Sequence, residues 1–235
     1  LLKGRHPYPK SVVSLLEDDA PPILFARGNL DILNKESVGF CGSRKATDKG
    51  LQVAHLSSHA LAAEGLNIVS GYAHGVDLTT HSAALEACGV TSIVLAEGIL
   101  NFKEKNKIKD LLDEKNQVII SECPPTLPWN AGNAMRRNRL ICGLSKALIV
   151  IESGMDGGTF AAGNKALELG IPLFVAEYAD DLQAYEGNKY FLKKGAIALR
   201  GNRTGIPNIS KIREAIKSRA ISNTATHQQD DLFKQ

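Results

Sequence analysis

Cysteine and aromatic residues are scarce in this sequence of 235 residues, which contains four cysteines and a single tryptophan. None of the cysteines forms a C-x-x-C pair, and Cys41, Cys88 and Cys142 lie in apolar or glycine-rich surroundings, as small buried residues do. This pattern argues against a disulfide framework or a cysteine-based zinc site. It favours reduced cysteines in a cytoplasmic protein.

Long hydrophobic runs and a strong charge of either sign are also missing. No apolar stretch approaches the roughly 18 residues of a membrane span, and no signal peptide is visible. The net charge of +3 permits an anionic partner without implying one. The composition, 43% hydrophobic and 23% charged, is ordinary for a soluble globular protein, and the length supports one sizeable α/β domain.

Short apolar runs alternate with helical patterns between residues 37 and 219. This alternation predicts a Rossmann-like, doubly wound and mostly parallel sheet flanked by helices. One helix, within 46–65, has Thr47 as its cap and Gly65 as its stop. The candidate strands are Val38–Cys41, Leu66–Ser70, Thr91–Leu95, Val118–Ser121, Ala147–Glu152, Leu173–Ala176 and Ala196–Leu199, and the other candidate helices are Leu78–Ala87, Lys105–Glu114, Phe160–Leu169 and Ile209–Arg219.

Two terminal segments depart from this alternation. Residues 1–36 contain a helical turn, a Pro-Pro break and a candidate strand Ile23–Arg27, and we expect them to form an extension packed on the core. Residues 220–235 are polar and poor in apolar side chains, which predicts a disordered tail.

The first candidate strand is followed by "CGSRKATDKG". Gly42 allows a tight turn, Ser43 offers a hydroxyl and Arg44 a planar cation, while a helix beginning near Thr47 would point its unpaired amides at this loop. A helix N-terminus with an arginine favours a phosphate site. The alternative is an ordinary strand–helix turn with a solvated arginine.

The second strand ends in "SGYAHGVDLTTH". Ser70 and Gly71 close the strand, and Asp77 is placed to cap the next helix. A metal site on His74 and His81 lacks a third ligand, and a triad of Ser70, His81 and Asp77 lacks the strained G-x-S-x-G turn, so both are disfavoured. A backbone cradle for an anion is the simpler interpretation.

Arginine and glycine dominate the loops after two later strands. Arg136, Arg137 and Arg139 surround Asn138 in a helix that we expect to begin near Met135. Guanidinium groups are good anion ligands, although structural ion pairs are the alternative. After a further strand, "GMDGGTF" leads directly into a helix, so Gly157, Gly158 and Thr159 form a second glycine-rich loop.

These segments together resemble the DNA-processing protein A family, also called Smf, which has a Rossmann-like core. The matching stretches include "GSRKATDKG", "VSGYAHGVDLTTHSAALEACG", "SECPP", "RRNRLICGLS" and "GNKYFLKKGA", and they extend from Tyr8 to about Ala196.

The resemblance implies a single-stranded DNA-binding protein without enzymatic activity or cofactor, whose DNA-binding domain is 37–219. It implies a homodimer that acts in natural transformation and recombination, where it protects single-stranded DNA and loads the RecA recombinase. The residues that it assigns to the nucleic-acid or phosphate site are Gly42, Ser43, Arg44, Ser70, Gly71, Arg136, Arg137, Asn138, Gly157, Gly158 and Thr159.

This chain departs from the family pattern in one respect that bears on base contacts. Family members usually carry Phe-Pro before the arginines, where this chain has Ala134 and Met135. Trp129 and Tyr72 are the nearest candidates to stack on a base, and a buried structural role is the alternative for each.

Two other functions stay open at this stage. A nucleotide or nucleotide-signal binding protein would use the same phosphate loops. A nucleoside-monophosphate-cleaving enzyme of the lysine-decarboxylase-like group would match "GGTF", but the expected carboxylate is missing after Thr159 and the next acid is Glu168.

Overall fold

The computed structural model describes residues 1–178, 185–202 and 205–218. Within these ranges eight strands form a single sheet, flanked by helices. In chain order the elements are α1 (Lys10–Leu16), β1 (Phe25–Gly28), β2 (Ser37–Cys41), α2 (Asp48–Ala63), β3 (Asn67–Ser70), α3 (Val76–Glu86), β4 (Thr91–Val94), β5 (Gln117–Ser121), α4 (Ala131–Leu144), β6 (Ala147–Val150), α5 (Gly157–Glu168), β7 (Leu173–Ala176), α6 (Glu186–Lys193) and β8 (Ile197–Leu199), followed by helical residues 210–218.

The strand order is β1-β5-β4-β3-β2-β6-β7-β8, and every pair except β1–β5 is parallel. The chain moves outward from β2 to β5 and then returns to place β6 on the other side of β2. The topological switch point therefore lies between β2 and β6, and the carboxyl ends of the seven parallel strands share one edge of the sheet. This architecture confirms the predicted Rossmann-like, doubly wound fold.

Helices cover both faces of the sheet, as a parallel sheet requires. One core contains Leu140 and Ile141 of α4, Ala162 of α5 and Phe191 of α6. The opposite core contains residues of α2, α3 and the final helical segment, among them Leu61. Strands β2 to β7 are buried along their whole length, which explains why their sequences are continuous apolar runs.

The N-terminal segment packs on the same core as the rest of the chain. Tyr8, Val12 and Leu16 join the α4 face, and β1 adds to the sheet edge in antiparallel register, with Phe25 opposite Ser121. The domain boundaries at residues 36 and 219 stay predictions, and the predicted tail 220–235 lies outside the described residues.

Two predicted helices need correction, and one observed helix was missed. Residues Lys105–Glu114 form turns rather than a helix, because Ile108 is buried against α3 and the sheet while turn hydrogen bonds satisfy the backbone. Helix α4 begins at Ala131, four residues before the expected Met135, since Asn130 caps it by accepting a hydrogen bond from the amide of Asn133. Helix α6 was not predicted.

Candidate functional site

A cleft of about 550 Å³ opens at the carboxyl edge of the sheet, over the ends of β3 and β4. Its volume lies within the range of small-ligand sites. Four lysine and arginine side chains face two glutamates in its lining, so its charge is predominantly positive. We call it the carboxyl-edge cleft; its lining residues are Arg44, Tyr72, Ala73, His74, Leu95, Ala96, Glu97, Asn101, Lys103, Glu104, Lys105, Pro128, Trp129 and Arg137.

The loop after β2 supplies Arg44, which is exposed and whose guanidinium carbon lies 5.3 Å from the ring centroid of Trp129. Gly42 packs so tightly on Val76, the first residue of α3, that a Cβ atom would lie 2.4 Å from the valine side chain. The half-buried Ser43 is fixed by its amide, which donates to the carbonyl of Glu152 at 3.0 Å. The close packing of this loop holds Arg44 at the rim of the cleft.

Two of the amides at the start of α2, which the sequence predicts to be unpaired, are hydrogen-bonded within the protein. The fully buried carboxylate of Glu152, which follows β6, accepts hydrogen bonds from the amide of Thr47 at 2.9 Å and from its hydroxyl at 2.6 Å. The Thr47 hydroxyl oxygen in turn accepts from the amide of Gly50 at 3.0 Å, which confirms Thr47 as the helix cap. An internal carboxylate thus occupies the position proposed for a phosphate.

Polar residues at the end of β3 are bonded to one another. The buried Ser70 hydroxyl contacts the carbonyl of Phe40 at 2.8 Å and Asp77 at 3.1 Å. Asp77 does not cap α3, which begins at Val76; its carboxylate accepts from the amide of Ala73 at 3.1 Å. Ser70 therefore supports the site from inside the protein, and a direct contact with DNA stays a prediction.

His81 is buried and hydrogen-bonded on both ring nitrogens. Its Nε2 donates to the carbonyl of Gly71 at 2.7 Å, and Nδ1 lies 2.6 Å from the Thr91 hydroxyl. Burial lowers the pKa of His81 from 6.5 to about 4. Since the Ser70 hydroxyl pairs with Asp77 and not with His81, the arrangement does not support nucleophilic catalysis.

Arg137 is the most deeply buried cation of the cleft, with 7% of its surface exposed. One of its nitrogens, Nη1, donates to the carbonyl of Val94, while the buried Nε has no hydrogen-bond partner in the described part of the chain. A Cβ on Gly71 would lie 2.0 Å from Nη1, so only glycine leaves room for the guanidinium. A buried donor without a partner is costly and calls for an explanation.

Arg136 and Arg139 share one carboxylate. Glu122, directly after β5, accepts from Arg136 at 3.3 Å and from Arg139 at 2.6 Å. The Arg136 side chain is 62% exposed, the Arg139 side chain 17% and the Glu122 side chain 3%. Arg136 therefore lies at the surface on the same sheet edge as Arg44, although it is held by an internal ion pair.

The start of α5 carries the second glycine-rich loop. Gly157 is exposed with a φ of 76°, and Gly158 and Thr159 are half-buried in the first turn. Asn138 is buried, and its side-chain amide donates to the carbonyl of Gly158 at 2.8 Å. Asn138 thus fixes this loop against α4, and its contact with DNA stays a prediction, as do those of the three loop residues.

The two candidate stacking residues have different surroundings. The ring of Tyr72 lies under the Lys105 ammonium at 4.4 Å and 5.1 Å from the ring of Phe102, and its hydroxyl donates to the carbonyl of Lys103 at 3.0 Å. Trp129 is instead 48% exposed. Sequence reasoning did not find Lys103 or Lys105, because Lys105–Glu114 was expected to be a helix and no signal placed this segment at the border of a cleft.

Within the described ranges the chain has neither a cluster of metal ligands nor a helix that could span a membrane. No group of three or more histidine, cysteine, aspartate or glutamate side chains there is arranged to hold a metal ion. None of the helices in those ranges combines the length and apolarity of a membrane span.

DNA-processing proteins are among the known proteins of similar sequence and structure. Protein Smf of Escherichia coli is 34% identical over 185 residues, which are 78% of this chain and 50% of that protein. The crystal structure of DNA processing protein A from Streptococcus pneumoniae superposes with a TM-score of 0.75 at 30% identity, covering 85% of this chain and 70% of that chain.

A Helicobacter pylori DNA processing protein A structure, described for its single-stranded DNA binding mode, gives a TM-score of 0.74 at 26% identity and covers 92% of this chain and 94% of that chain. The chain spans about half the length of the Escherichia coli and Bacillus subtilis relatives, 50% and 53% respectively. The sequence model of the family described as DNA recombination-mediator protein A matches residues 1–209, and the chain belongs to this family.

Proposed function

We propose that this chain binds single-stranded DNA at the carboxyl edge of its sheet and acts as a recombination mediator in natural transformation. Family membership and the Helicobacter pylori relative, whose single-stranded DNA binding mode is described, support the proposal. The observation that carries it is that Arg44 and Arg137 line one cleft. Arg136, the neighbour of Arg137 in α4, is exposed at the surface. Single-strand binders combine such cations with aromatic surfaces.

The proposal extends to the behaviour of the whole protein. The chain forms a homodimer in the cytoplasm, protects single-stranded DNA and loads the RecA recombinase onto it. Two aligned clefts in a dimer would raise avidity without any new contact. RecA loading is tested by the rate of filament formation on oligonucleotides coated with a single-strand binding protein, which the chain should accelerate.

Binding is tested by fluorescence anisotropy with a labelled oligo(dT) over a series of salt concentrations. We expect Arg44→Ala and Arg136→Ala to weaken binding and each to reduce the slope of log K against log[salt] by about 0.7. Arg213→Ala is the matched control, because Arg213 is also an exposed, glutamate-paired arginine but contacts Glu64 at the end of α2, on the opposite sheet edge. Unchanged binding in both test variants, or binding insensitive to salt, would overturn the proposal.

The proposed activity is non-enzymatic. The acid nearest in sequence after the "GGTF" loop, Glu168, ends α5 and pairs with Lys165 at 2.8 Å, far from the helix start where a phosphate would bind. Release of free base from AMP by the purified protein would contradict this part of the proposal. A thermal shift with mononucleotides, together with none with oligo(dT), would instead favour a nucleotide-binding protein.

A further inference from the structure

Trp129 presents an aromatic surface at the rim of the carboxyl-edge cleft. Arg44 covers one face of the indole with its guanidinium at 5.3 Å, yet the residue keeps 48% of its surface exposed. Trp129 also lines the cleft, so part of this exposed surface faces the cleft. An aromatic ring at the rim of a cleft gains from being covered by the planar face of a ligand.

The other aromatic of the cleft is already engaged. Tyr72 lies between Lys105 and Phe102, and its hydroxyl both donates to the carbonyl of Lys103 and accepts from the amide of Lys105, each at 3.0 Å. These contacts fix Tyr72 as part of the cleft wall. Trp129 is therefore the aromatic residue of the cleft lining with an accessible ring face.

A cation completes the subsite. Arg137 lines the same cleft, is more than nine-tenths buried and has an Nε without a partner in the described ranges. A nucleotide combines a planar apolar base with an anionic phosphate, so it matches a cleft with an open indole and a buried guanidinium.

We propose that Trp129 stacks on one unpaired base of the bound strand, with Arg44 supporting the ring from behind and Arg137 binding a phosphate of the same nucleotide. This inference rests on the proposed function and specifies its base contact. The contact is tolerant of sequence, because every base has a π-face. It selects single strands, since a base in a duplex is stacked on its neighbours.

The test uses the single tryptophan of the sequence as an internal reporter. Titration of the wild-type chain with oligo(dT) should quench its intrinsic fluorescence. An abasic oligomer, which has the same sugar–phosphate backbone but no bases, should leave the fluorescence nearly unchanged. In anisotropy, Trp129→Ala should weaken oligo(dT) binding by roughly 5- to 150-fold, Trp129→Phe should retain most of the affinity, and both should bind the abasic oligomer as the wild type does.

Leu100→Ala is the control, because it removes an exposed apolar side chain, 71% exposed against 48% for Trp129, that does not line the cleft. Equal affinity of wild-type and Trp129→Ala protein for oligo(dT), or quenching by the abasic oligomer as strong as by oligo(dT), would overturn the inference and leave the proposed function standing. A wild-type chain that binds neither oligomer would overturn the proposed function itself.

Discussion

Glu122 controls how much positive charge α4 presents to an anion. Its carboxylate binds both Arg136 and Arg139, so two guanidinium groups at the proposed site are partly neutralised inside the protein. Glu122→Gln keeps the shape of the side chain and removes its charge. We expect this substitution to strengthen DNA binding and to weaken the fold.

The two effects can be sized separately. For a phosphate about 8 Å away and an effective dielectric constant of about 40–80, removal of one negative charge favours binding by roughly 0.5–1 kcal/mol, or about 2- to 5-fold. The loss of the 2.6 Å contact with the half-buried Arg139 should lower the free energy of unfolding by about 1–3 kcal/mol.

Anisotropy with oligo(dT) at several salt concentrations measures the first effect, and urea denaturation measures the second. Glu64→Gln is the matched control, because Glu64 also pairs with an arginine, Arg213, but at the end of α2 on the opposite sheet edge. We expect the control to leave affinity and salt slope nearly unchanged. Weaker DNA binding by Glu122→Gln, in protein that is still folded, would refute the reasoning, since it would mean that the ion pairs orient Arg136 for binding.

Three further substitutions test the internal contacts of the site. Burial lowers the pKa of His81 to about 4, so below pH 6.5 the histidine becomes protonated in the unfolded chain but stays neutral in the folded chain. The free energy of unfolding should therefore fall by about 3 kcal/mol as the pH drops from 6.5 to 4. His81→Gln should flatten that part of a urea-derived pH–stability curve, and an unchanged curve would contradict it. Glu152→Gln replaces an accepting oxygen with a donor at the start of α2 and should lower the free energy of unfolding, measured by urea denaturation, by about 1–3 kcal/mol. An unchanged free energy of unfolding would show that the α2 amides do not need the carboxylate. Gly71→Ala should displace the Arg137 guanidinium and weaken both folding and oligo(dT) binding, whereas full affinity would exclude Arg137 from the site.

The fold was largely predictable because parallel strands buried on both faces must be short apolar runs. The expected strand Leu173–Ala176 is the observed β7, and Val38–Cys41 differs from β2 by one residue. The helix prediction for Lys105–Glu114 is wrong for a physical reason. Its apolar spacing serves to bury Ile108 in a satellite core, and turns achieve this as well as a helix would.

The site was predictable only in outline. Strand ends and arginines indicate which loops meet, because the sheet topology brings them to one edge. Sequence does not reveal which polar groups are already bonded inside the protein. Glu152 contacts Thr47 across 105 residues of chain, and Glu122 contacts Arg136 across 14. Both contacts depend on packing distances that no local pattern encodes. The partnerless Nε of Arg137 is likewise a property of the packed structure alone.

The position of Glu152 favours the cleft over the switch point as the candidate anion site. Doubly wound sheets usually bind ligands where the strand order reverses, here between β2 and β6. In this chain the Glu152 carboxylate already occupies the amino end of α2, so an incoming phosphate would meet a buried negative charge instead of unpaired amides. The cations lie beside this point, over β3 and β4, where Arg44 and Arg137 border the cleft. Binding should therefore depend on side-chain charge more than on helix dipoles, and a strong sensitivity to salt follows from that.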